Sequence, residues 1–337
     1  MPTPRGWDVL VTGGCGYVGS FVVRHLLDAG HRPVVLDSLV TGHAWAAQEA
    51  PLVVADLADR ARVAALLTER RFAAVVHCAA HIWVAESVAE PARYYANNTG
   101  NAIGLFDLCA RQNVPVLLSS TAAVYGAPDA VLIDESLPVA PINPYGASKA
   151  MAERVLVDIG AATGLPYAIL RYFNVAGADT EARIGEATPD NKHLVKLACA
   201  AALGQRAALT IHGTDYPTPD GTCIRDYVHA DDLARAHLLA LDHLLQGGAP
   251  FVANCGYGHG FSVREVLDAA RRVTGVAFPI EEGPRRAGDP AHLVADSSRL
   301  RMLLAWTPTH DDLDHILATA WAWEQKLHGG VRPEWRT

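Results

Sequence analysis

A tyrosine and a lysine four residues apart are the strongest candidates for chemistry in this sequence. Tyr145 and Lys149 follow Asn143 and Pro144, and an alanine-rich apolar run continues to Ala162. Asparagine caps helices and proline suits the first helical position, so we predict a helix with Tyr145 in its first turn and Lys149 on the same face. A phenol ordinarily titrates near pH ~10, but a nearby ammonium and the helix N-terminus would both favour the phenolate. The pair therefore predicts a base that takes a proton from an alcohol.

The spacing of this pair is weak evidence by itself. Many amphipathic helices place a tyrosine and a lysine four residues apart by chance, because residues at that spacing are neighbours on one helix face. The catalytic interpretation therefore depends on the other residues that the fold brings to the same place.

A glycine-rich turn near the N-terminus predicts a dinucleotide site. The sequence reads as a strand at 8–12, the turn GGCGYVGS at 13–20, a helix at 21–29 and a second strand at 33–36 that ends at Asp37. Glycine lets a pyrophosphate approach the backbone at a helix N-terminus, and an acid after the second strand can accept hydrogen bonds from the adenosine ribose. A carboxylate there repels a 2′-phosphate, and the residues that follow include no arginine to hold one. We therefore predict NAD rather than NADP as the cofactor.

The glycines of this turn fit two registers. Gly14, Gly16 and Gly19 match G-x-G-x-x-G, whereas Gly13, Gly16 and Gly19 match the wider G-x-x-G-x-x-G. A glycine motif alone is often only a turn. Here the predicted strand before it and the acid after it make the prediction specific.

Small or polar residues follow the other predicted strands. The alternation of strands and helices predicts a Rossmann-type α/β fold, in which a doubly wound parallel sheet has helices on both faces. Ligands bind beyond the carboxyl ends of such strands. Residues predicted at these ends include Asp37, Asp56, Ala79 and Thr121. Asp56 has two interpretations, as a contact to the adenine edge or as the cap of a helix at 57–67.

The composition narrows the class of protein. The chain has 337 residues, of which 50% are hydrophobic and 19% charged, and its net charge is -8. This composition is globular and argues against nucleic acid as the main partner. We find no apolar run of membrane-spanning length and no secretory segment at the N-terminus. The six cysteines form no C-x-x-C pair and the fifteen histidines show no H-E-x-x-H spacing, so we predict a cytoplasmic protein with reduced thiols and no metal site.

The regular alternation ends after Asn174. Residues 175–192 are polar and irregular, and the later elements are separated by long turns. We predict an NAD-binding Rossmann domain at 1–174, with a returning segment near 228–255, and a smaller mixed α/β substrate lobe at 175–337.

Longer motifs make a specific resemblance. They are TGGCGYVGS at 12–20, SSTAAVYG at 119–126, NPYGASK at 143–149, RYFNVAGA at 171–178 and DYPTPDGTCIRDYVHADDLA at 215–234. Together they resemble the extended short-chain dehydrogenase/reductase family, and more closely its members that epimerise UDP-sugars at C4. The resemblance runs nearly end to end. It implies an NAD-dependent reaction in which a tyrosine takes the proton of the sugar 4-hydroxyl, the hydride passes to NAD, and the 4-keto sugar turns over before the hydride returns.

The resemblance also implies roles for individual residues. Tyr145 would be the catalytic acid and base, Lys149 would hold the nicotinamide ribose and Thr121 would hydrogen-bond the reacting hydroxyl. The implied NAD contacts are Gly13, Gly16, Tyr17, Val18, Gly19, Asp37, Asp56, Leu57, Ala79, Ala80, Asn98, Ser119, Tyr145, Lys149 and Tyr172. The implied UDP-sugar contacts are Thr121, Tyr145, Asn174, His193, Leu194, Thr210, His212, Arg225, Arg286 and Asp289. The guanidinium groups of Arg225 and Arg286 suit a diphosphate, although either arginine could instead form a surface ion pair. His212 could be a packing residue and not a substrate contact.

Other positions bear on the type of reaction and on the substrate. Related dehydratases carry acids directly after the Ser/Thr, where this chain has Ala122 and Ala123. Without a positioned acid, elimination lacks a typical ~10²–10⁴-fold contribution, which favours epimerisation. Leu293 aligns with a tyrosine of some members, and it either opens room for a 2-acetamido group or packs the lobe interface. Ile82 replaces a lysine of some epimerases, and we assign it no role.

The sequence leaves alternative functions open. UDP-glucose and UDP-galactose are the simplest substrate pair, but UDP-N-acetylhexosamines or UDP-pentoses would suit the same motifs, as would the reduction of a keto sugar. A non-catalytic NAD-binding regulator is a further alternative, since a fold does not guarantee chemistry. The helices around 93–111 and 148–162 resemble those that pair in family dimers, so a homodimer is expected.

Overall fold

Seven parallel strands form the central sheet of the protein. The computed structural model describes residues 6–286 and 289–329. The strands in this part of the chain are β1 (Asp8–Thr12), β2 (Arg32–Asp37), β3 (Leu52–Val54), β4 (Ala74–His77), β5 (Val116–Thr121), β6 (Tyr167–Tyr172), β7 (Asn174–Ala176), β8 (Leu209–His212), β9 (Ile224–Arg225), β10 (Tyr227–His229), β11 (Phe251–Cys255), β12 (Phe261–Ser262), β13 (Ile280–Gly283) and β14 (His292–Leu293). The order in the central sheet is β11-β6-β5-β4-β1-β2-β3, which confirms the predicted doubly wound fold.

Helices cover both faces of this sheet. The α-helices of the described residues are α1 (Tyr17–Asp28), α2 (Arg60–Glu69), α3 (Val84–Ala89), α4 (Pro91–Tyr94), α5 (Asn101–Gln112), α6 (Pro144–Thr163), α7 (Leu194–Ala202), α8 (Ala230–Leu245), α9 (Val263–Thr274), α10 (Ser298–Leu304) and α11 (Leu313–His328). Short 3-10 helices lie at Ala44–Ala47 and Ala122–Tyr125, and a π-helix lies at Tyr95–Gly100. Within the ranges that the structure covers, no helix is both long enough and apolar enough to span a membrane.

The strand side chains divide the core into two halves. In β1, Val9 and Val11 pack into a cluster with α1 and α8, whereas Leu10 points to the other face and packs with α2, α5 and α6. All three side chains are fully buried. Because helices cover both faces, a central strand of this sheet is apolar at every position, which is why its sequence shows no alternation.

The second half of the chain is interleaved with the first. β11 returns to the central sheet beside β6, while short strand pairs outside it join β7 to β10 and β8 to β13. A third small sheet places β9 between β12 and β14. The sequence also predicts a loop at 283–289, of which residues 287 and 288 lie outside the described residues.

Three helix starts differ from the prediction. α1 begins at Tyr17 rather than at 21, because the turn is only four residues long and Gly19 lies inside the helix, facing that turn. α2 is capped by Asp59, whose carboxylate accepts from the Arg62 N–H at 3.0 Å, so the predicted helix at 57–67 with Asp56 as its cap is wrong. The sequence also predicts Asp231 and Asp232 as the cap of the helix that follows β10, whereas in the structure the ring of His229 caps α8.

Candidate active site

The glycine turn between β1 and α1 packs against the loop that follows β4. Gly13 has a φ of +72°, which side chains rarely adopt, and a Cβ there would lie 2.5 Å from the Ala79 nitrogen. A Cβ on Gly19 would lie 2.1 Å from the Gly13 oxygen. At Gly16 the nearest atom, again the Gly13 oxygen, would be 3.4 Å away. The turn is therefore tightly packed at Gly13 and Gly19 and has more space beside Gly16. At that point the N-terminus of α1 can receive a pyrophosphate.

Asp37 lies beside this turn at the end of β2. Its carboxylate accepts hydrogen bonds from the Cys15 N–H at 2.9 Å and the Leu39 N–H at 2.8 Å, one on each oxygen. Each oxygen keeps a further lone pair for a ribose hydroxyl. Of the two registers, the wider one describes the turn, because Gly13 has the positive φ and Gly14 only makes room for the Val35 side chain.

The other predicted adenosine-side residues have different surroundings. Asp56 is exposed and accepts from the Ala58 N–H at 2.8 Å, and Leu57 packs against the core cluster of α2, α5 and α6. Tyr17 donates its hydroxyl hydrogen to the Gly177 carbonyl, and Val18 packs in the opposite core cluster. Their contacts to a cofactor stay predictions.

Helix α6 places the tyrosine–lysine pair at the same edge of the sheet. Asn143 accepts from the Gly146 N–H at 2.9 Å and Pro144 is the first helical residue, which confirms the predicted start. Thr121 ends β5, and its hydroxyl lies close enough to the phenol of Tyr145 to lower the pKa of that phenol. Lys149 follows one turn later on the same helix and is 4% exposed. The structure thus brings together the three residues to which the sequence assigned the chemistry.

Burial controls the titration of this pair. It raises the pKa of Tyr145 above its ordinary value, against the lowering effect of the nearby Thr121 hydroxyl. Burial also lowers the pKa of Lys149 to about 8, while neighbouring Cys78 and Glu153 act in the opposite direction. The expected lowering of the phenol pKa is therefore wrong for the protein alone, because burial raises the pKa of Tyr145 more than Thr121 lowers it.

Asn98, a predicted cofactor contact, holds the site together from within the π-helix. Its amide donates to the His81 carbonyl and to the Ser148 hydroxyl, both at 3.0 Å, and its oxygen accepts from the His81 N–H at 2.8 Å and from the Asn97 amide at 2.9 Å. All four hydrogen-bonding positions of the side chain are thus filled. Asn98 therefore ties the loop after β4 to α6, beside Tyr145.

His237 lies at the site although no motif of the sequence predicts it there. Its Nε2 lies 2.7 Å from the Ser119 hydroxyl, and its ring centroid lies 6.3 Å from that of Tyr172. Ser119 and Tyr172 were predicted to contact NAD from the ends of β5 and β6. His237 lies 118 residues after Ser119 and belongs to no local motif, so only the fold could reveal the contact.

Arg225 and Asp289, both predicted substrate contacts, pair with each other. Arg225 is 8% exposed, and its guanidinium donates to the Asp289 carboxylate and to the Ile224 carbonyl, the latter at 2.7 Å. The two predicted residues therefore form one ion pair in the second half of the chain.

Arg285 and Arg286 are adjacent in the sequence, which does not tell them apart, but they differ in their contacts in the structure. Arg285 donates to the Asp215 carboxylate at 2.6 Å, and its guanidinium lies 4.2 Å from the centroid of the Tyr216 ring. Arg286 is exposed and has no ion-pair partner within 6–286 and 289–329. Arg286 is therefore the arginine of this pair that can reach an anionic ligand.

The remaining predicted substrate residues lie on or beside three elements, β7, α7 and β8. Thr210 and His212 share the outward face of β8, and burial together with the charge of Arg286 lowers the pKa of His212. His193 precedes α7, and its ring centroid lies 5.3 Å from that of Trp83 in the first half of the chain. The sequence did not predict this contact between the two halves of the chain. Two further predicted residues, Leu194 and Asn174, begin α7 and β7 and are partly buried.

The fold also gathers three histidines that are distant in sequence. Nitrogen atoms of His229, His310 and His315 lie within 4.8 Å of one another. The Nδ1 of His229 accepts from the Asp231 N–H at 3.1 Å, its Nε2 is 3.1 Å from the Thr319 hydroxyl, and the other two rings approach to 2.8 Å. The prediction of no metal site used local sequence spacing only, so it did not take this cluster of distant histidines into account. Because both nitrogens of His229 have partners, the cluster as it stands is a hydrogen-bonded group.

The fold and this site define a Rossmann-type protein whose glycine turn and tyrosine–lysine pair meet at the carboxyl edge of the sheet. The chain belongs to the NAD dependent epimerase/dehydratase family, whose model matches residues 9–256. It is 52% identical over 325 residues to a UDP-glucose 4-epimerase of Azospirillum brasilense, covering 96% of this chain and 93% of the relative.

Two solved structures extend this similarity to the fold. The UDP-glucose 4-epimerase from Brucella ovis in complex with NAD is 43% identical, with a TM-score of 0.91 over 94% of this chain and 98% of that one. The UDP-Glc/GlcNAc 4-epimerase from Campylobacter jejuni is 45% identical, with a TM-score of 0.84 over 95% and 100%.

We expect Lys149 to make the stability of the protein depend on pH. Burial lowers its pKa from the ordinary 10.5 to about 8, so between these values the unfolded chain binds a proton that the folded chain has lost. The free energy of unfolding should therefore rise with pH across this window, relative to a Lys149→Met variant. Urea denaturation of both proteins measures the difference, and a difference that stays constant with pH would contradict the expectation.

Proposed function

We propose that this protein is an NAD-dependent 4-epimerase of UDP-hexoses, with UDP-glucose and UDP-galactose as its substrate pair. The proposal rests on one observation, the meeting of Thr121, Tyr145 and Lys149 beside the glycine turn. The relatives from Azospirillum, Brucella and Campylobacter support it, because each is named as an epimerase and matches nearly the whole chain.

The residues around the turn fit NAD. A side chain at Gly13 or Gly19 would collide with backbone, whereas the space above Gly16 suits a pyrophosphate at the N-terminus of α1. Asp37 would accept the adenosine ribose hydroxyls, and its charge would disfavour the 2′-phosphate of NADP. When bound, NAD supplies the hydride acceptor for the sugar C4.

The tyrosine would move the proton in both directions. The phenol of Tyr145 takes the proton of the sugar 4-hydroxyl as C4 is oxidised and returns it when the other face is reduced. Thr121 holds the hydroxyl in line, and the Lys149 ammonium stabilises the phenolate in surroundings of low dielectric. Because burial raises the phenol pKa, returning the proton is favourable and removing it depends on Lys149.

The second lobe would hold the UDP. Arg286 is exposed on the loop after β13, and Arg225 lies on β9 with Asp289 beside it. Guanidinium groups bind phosphate oxygens bidentately, so the two arginines would grip the diphosphate while Asp289 accepts a uridine hydroxyl. A firm hold on the nucleotide allows the hexose to turn over without leaving.

The sugar pocket favours epimerisation and leaves a second substrate class open. Ala122 and Ala123 follow Thr121, so no acid is positioned there to eliminate water. Leu293 packs against the small cluster that contains Ala122 and Phe173, next to the residue that would hold the reacting hydroxyl. A 2-acetamido group at this position would suit UDP-N-acetylhexosamines, and the Campylobacter relative is named for both sugar types.

The Tyr145→Phe substitution tests the mechanism. Purified wild-type protein should convert UDP-galactose to UDP-glucose without added reductant and without net formation of NADH. The variant should lose about 10²–10⁴-fold in kcat, the usual contribution of a general acid–base group, while it still binds UDP. Chromatography of the sugar nucleotides measures turnover across a panel that includes UDP-N-acetylglucosamine and UDP-xylose. Tyr167→Phe, at the start of β6, is the matched control, and near-full activity of Tyr145→Phe would disprove the role.

The adjacent arginines give a paired test of UDP binding. Arg286→Ala should weaken UDP binding by roughly tenfold to a hundredfold, because a hydrogen-bonded contact to a charged phosphate is lost. Arg285→Ala should leave the affinity nearly unchanged, since its guanidinium is already paired with Asp215. Titration calorimetry with UDP measures both, and a larger loss in Arg285→Ala would reverse the assignment.

We also infer that the protein forms a homodimer through α5 and α6. These helices pack against each other and expose apolar side chains, with Ile103 41% and Met151 49% exposed. Wild-type protein should have the mass of a dimer in light scattering, and an Ile103→Asp/Met151→Asp variant should have the mass of a monomer. Met302→Asp is the control, because Met302 of α10 is 81% exposed and lies on neither α5 nor α6. A dimer that survives the double substitution would place the interface elsewhere.

A cytoplasmic location is the last part of the proposal. All six cysteines are unpaired, as expected of thiols in a reducing compartment. Fractionation of the source cells would test it, and recovery outside the cytoplasm would reject it.

A further inference from the structure

Asp226 is a buried acid next to Arg225, at the junction of β9 and β10. It is 0% exposed. Its Oδ1 accepts from the Tyr257 N–H at 2.9 Å, and its Oδ2 accepts from the N–H groups of Gly258 at 3.0 Å and Ala295 at 3.2 Å. All three donors belong to the main chain. The carboxylate therefore fixes two distant segments of the chain relative to the strand that carries Arg225.

The main chain of Asp226 is hydrogen-bonded on both sides as well. Its N–H donates to the Leu293 carbonyl at 3.1 Å, and its carbonyl accepts from the Asn174 N–H at 3.0 Å. Asn174 is a predicted substrate contact, and Leu293 lies on β14, which follows the loop that carries Arg286 and Asp289. Asp226 therefore lies between elements that the proposed UDP site must hold together.

The surroundings of Asp226 suit a carboxylate. Burial raises its pKa to about 6, whereas the three N–H donors and the charge of His259 lower it, so at pH 7 the group is mainly ionised. An ionised carboxylate only accepts hydrogen bonds, which matches its three donors. The neighbouring segment leaves room for the group, because Gly256 has no side chain and a Cβ there would lie 2.6 Å from Oδ2.

We propose that Asp226 is a positioning residue that sets the distance between Arg225 and the loop of Arg286 and Asp289, so that both guanidinium groups reach one diphosphate. Ala295 lies just after β14, and its bond to Asp226 helps to hold β14 against β9. A grip by two arginines requires both to be in place at once. The inference rests on the proposed function, because this distance matters only if the two arginines bind the same UDP.

The Asp226→Ala substitution tests this role through UDP binding. It leaves three buried N–H groups without their acceptor, and β14 can then shift from β9. The affinity for UDP in titration calorimetry should fall about tenfold, the loss expected when one hydrogen bond to a charged group is weakened. KM for UDP-galactose should rise by a similar factor while kcat stays within about twofold, since the diphosphate is held equally before and during the reaction. Asp226→Asn, whose amide oxygen can still accept from Gly258 and Ala295, should keep most of the affinity.

Asp232 provides a matched control. It is 1% exposed, and its carboxylate accepts from the N–H groups of Thr309 and His310, both at 2.8 Å, and from the Tyr257 phenol at 2.7 Å. These bonds hold the connection between α10 and α11, which contains no predicted substrate contact. Asp232→Ala should therefore lower the melting temperature to a similar extent as Asp226→Ala and leave the affinity for UDP unchanged.

Gly256→Ala is a second disruptive variant if Asp226→Ala prevents folding. Its Cβ would displace the carboxylate and would lie 2.7 Å from the Ala295 Cβ, so it should also weaken UDP binding. Unchanged UDP affinity in folded variants of Asp226 and Gly256, or an equal loss in Asp232→Ala, would overturn the inference. Weaker UDP binding in Asp226→Ala, in a protein that epimerises no UDP-sugar, would uphold the positioning role and reject the proposed function. A wild-type protein that binds no UDP would reject both.

Discussion

A buried ion pair fixes helix α6 against the sheet, and the candidate site depends on it. Glu153 lies one turn after Lys149 on the face that also presents Tyr145, and its carboxylate receives the Arg171 guanidinium at 2.6 Å. Removing two charges from water costs several kcal/mol per ion unless hydrogen bonds compensate. Here Ser120 donates to the carboxylate as well, and the guanidinium also donates to the phenol of a buried tyrosine at 2.9 Å. With these bonds made, α6 has one favourable position relative to β5 and β6, and that position brings its first turn to Thr121.

The same edge of the sheet is completed by residues from the far half of the chain. α8 packs on α1 and brings His237 to Ser119. β7, which begins at the last residue of the predicted Rossmann domain, pairs with β10. The Tyr17 hydroxyl, in the first turn of α1, donates to the carbonyl of Gly177. The second half of the chain therefore forms part of the candidate site, which explains why no linker-like sequence separates the two halves.

Local chemistry made much of this site predictable. Helix α6, the glycine turn and Asp37 follow from caps, conformational freedom and strand ends, all within a few residues of one another. Contacts between distant residues were not predictable. Arg225 pairs with Asp289, Arg285 with Asp215 and His237 with Ser119, and the partners in each pair lie about sixty or more positions apart. The direction of the Tyr145 pKa shift was wrong for the same reason, because burial is a property of the whole fold.

These distant contacts also explain how a buried ammonium keeps its charge. Burial lowers the pKa of Lys149 to about 8 and that of His77 to about 3, so at pH 7 the lysine is mostly protonated and the histidine is neutral. Glu153 is an anion, but Arg171 and Ser120 already occupy its oxygens. Burial raises the pKa of Cys78 to about 11, so its thiol is neutral as well. The groups closest to the ammonium are therefore neutral or paired, and its field is not cancelled within the protein. In surroundings of low dielectric, that field acts most strongly on whatever negative charge develops next to it, and the phenol of Tyr145 lies one helical turn away.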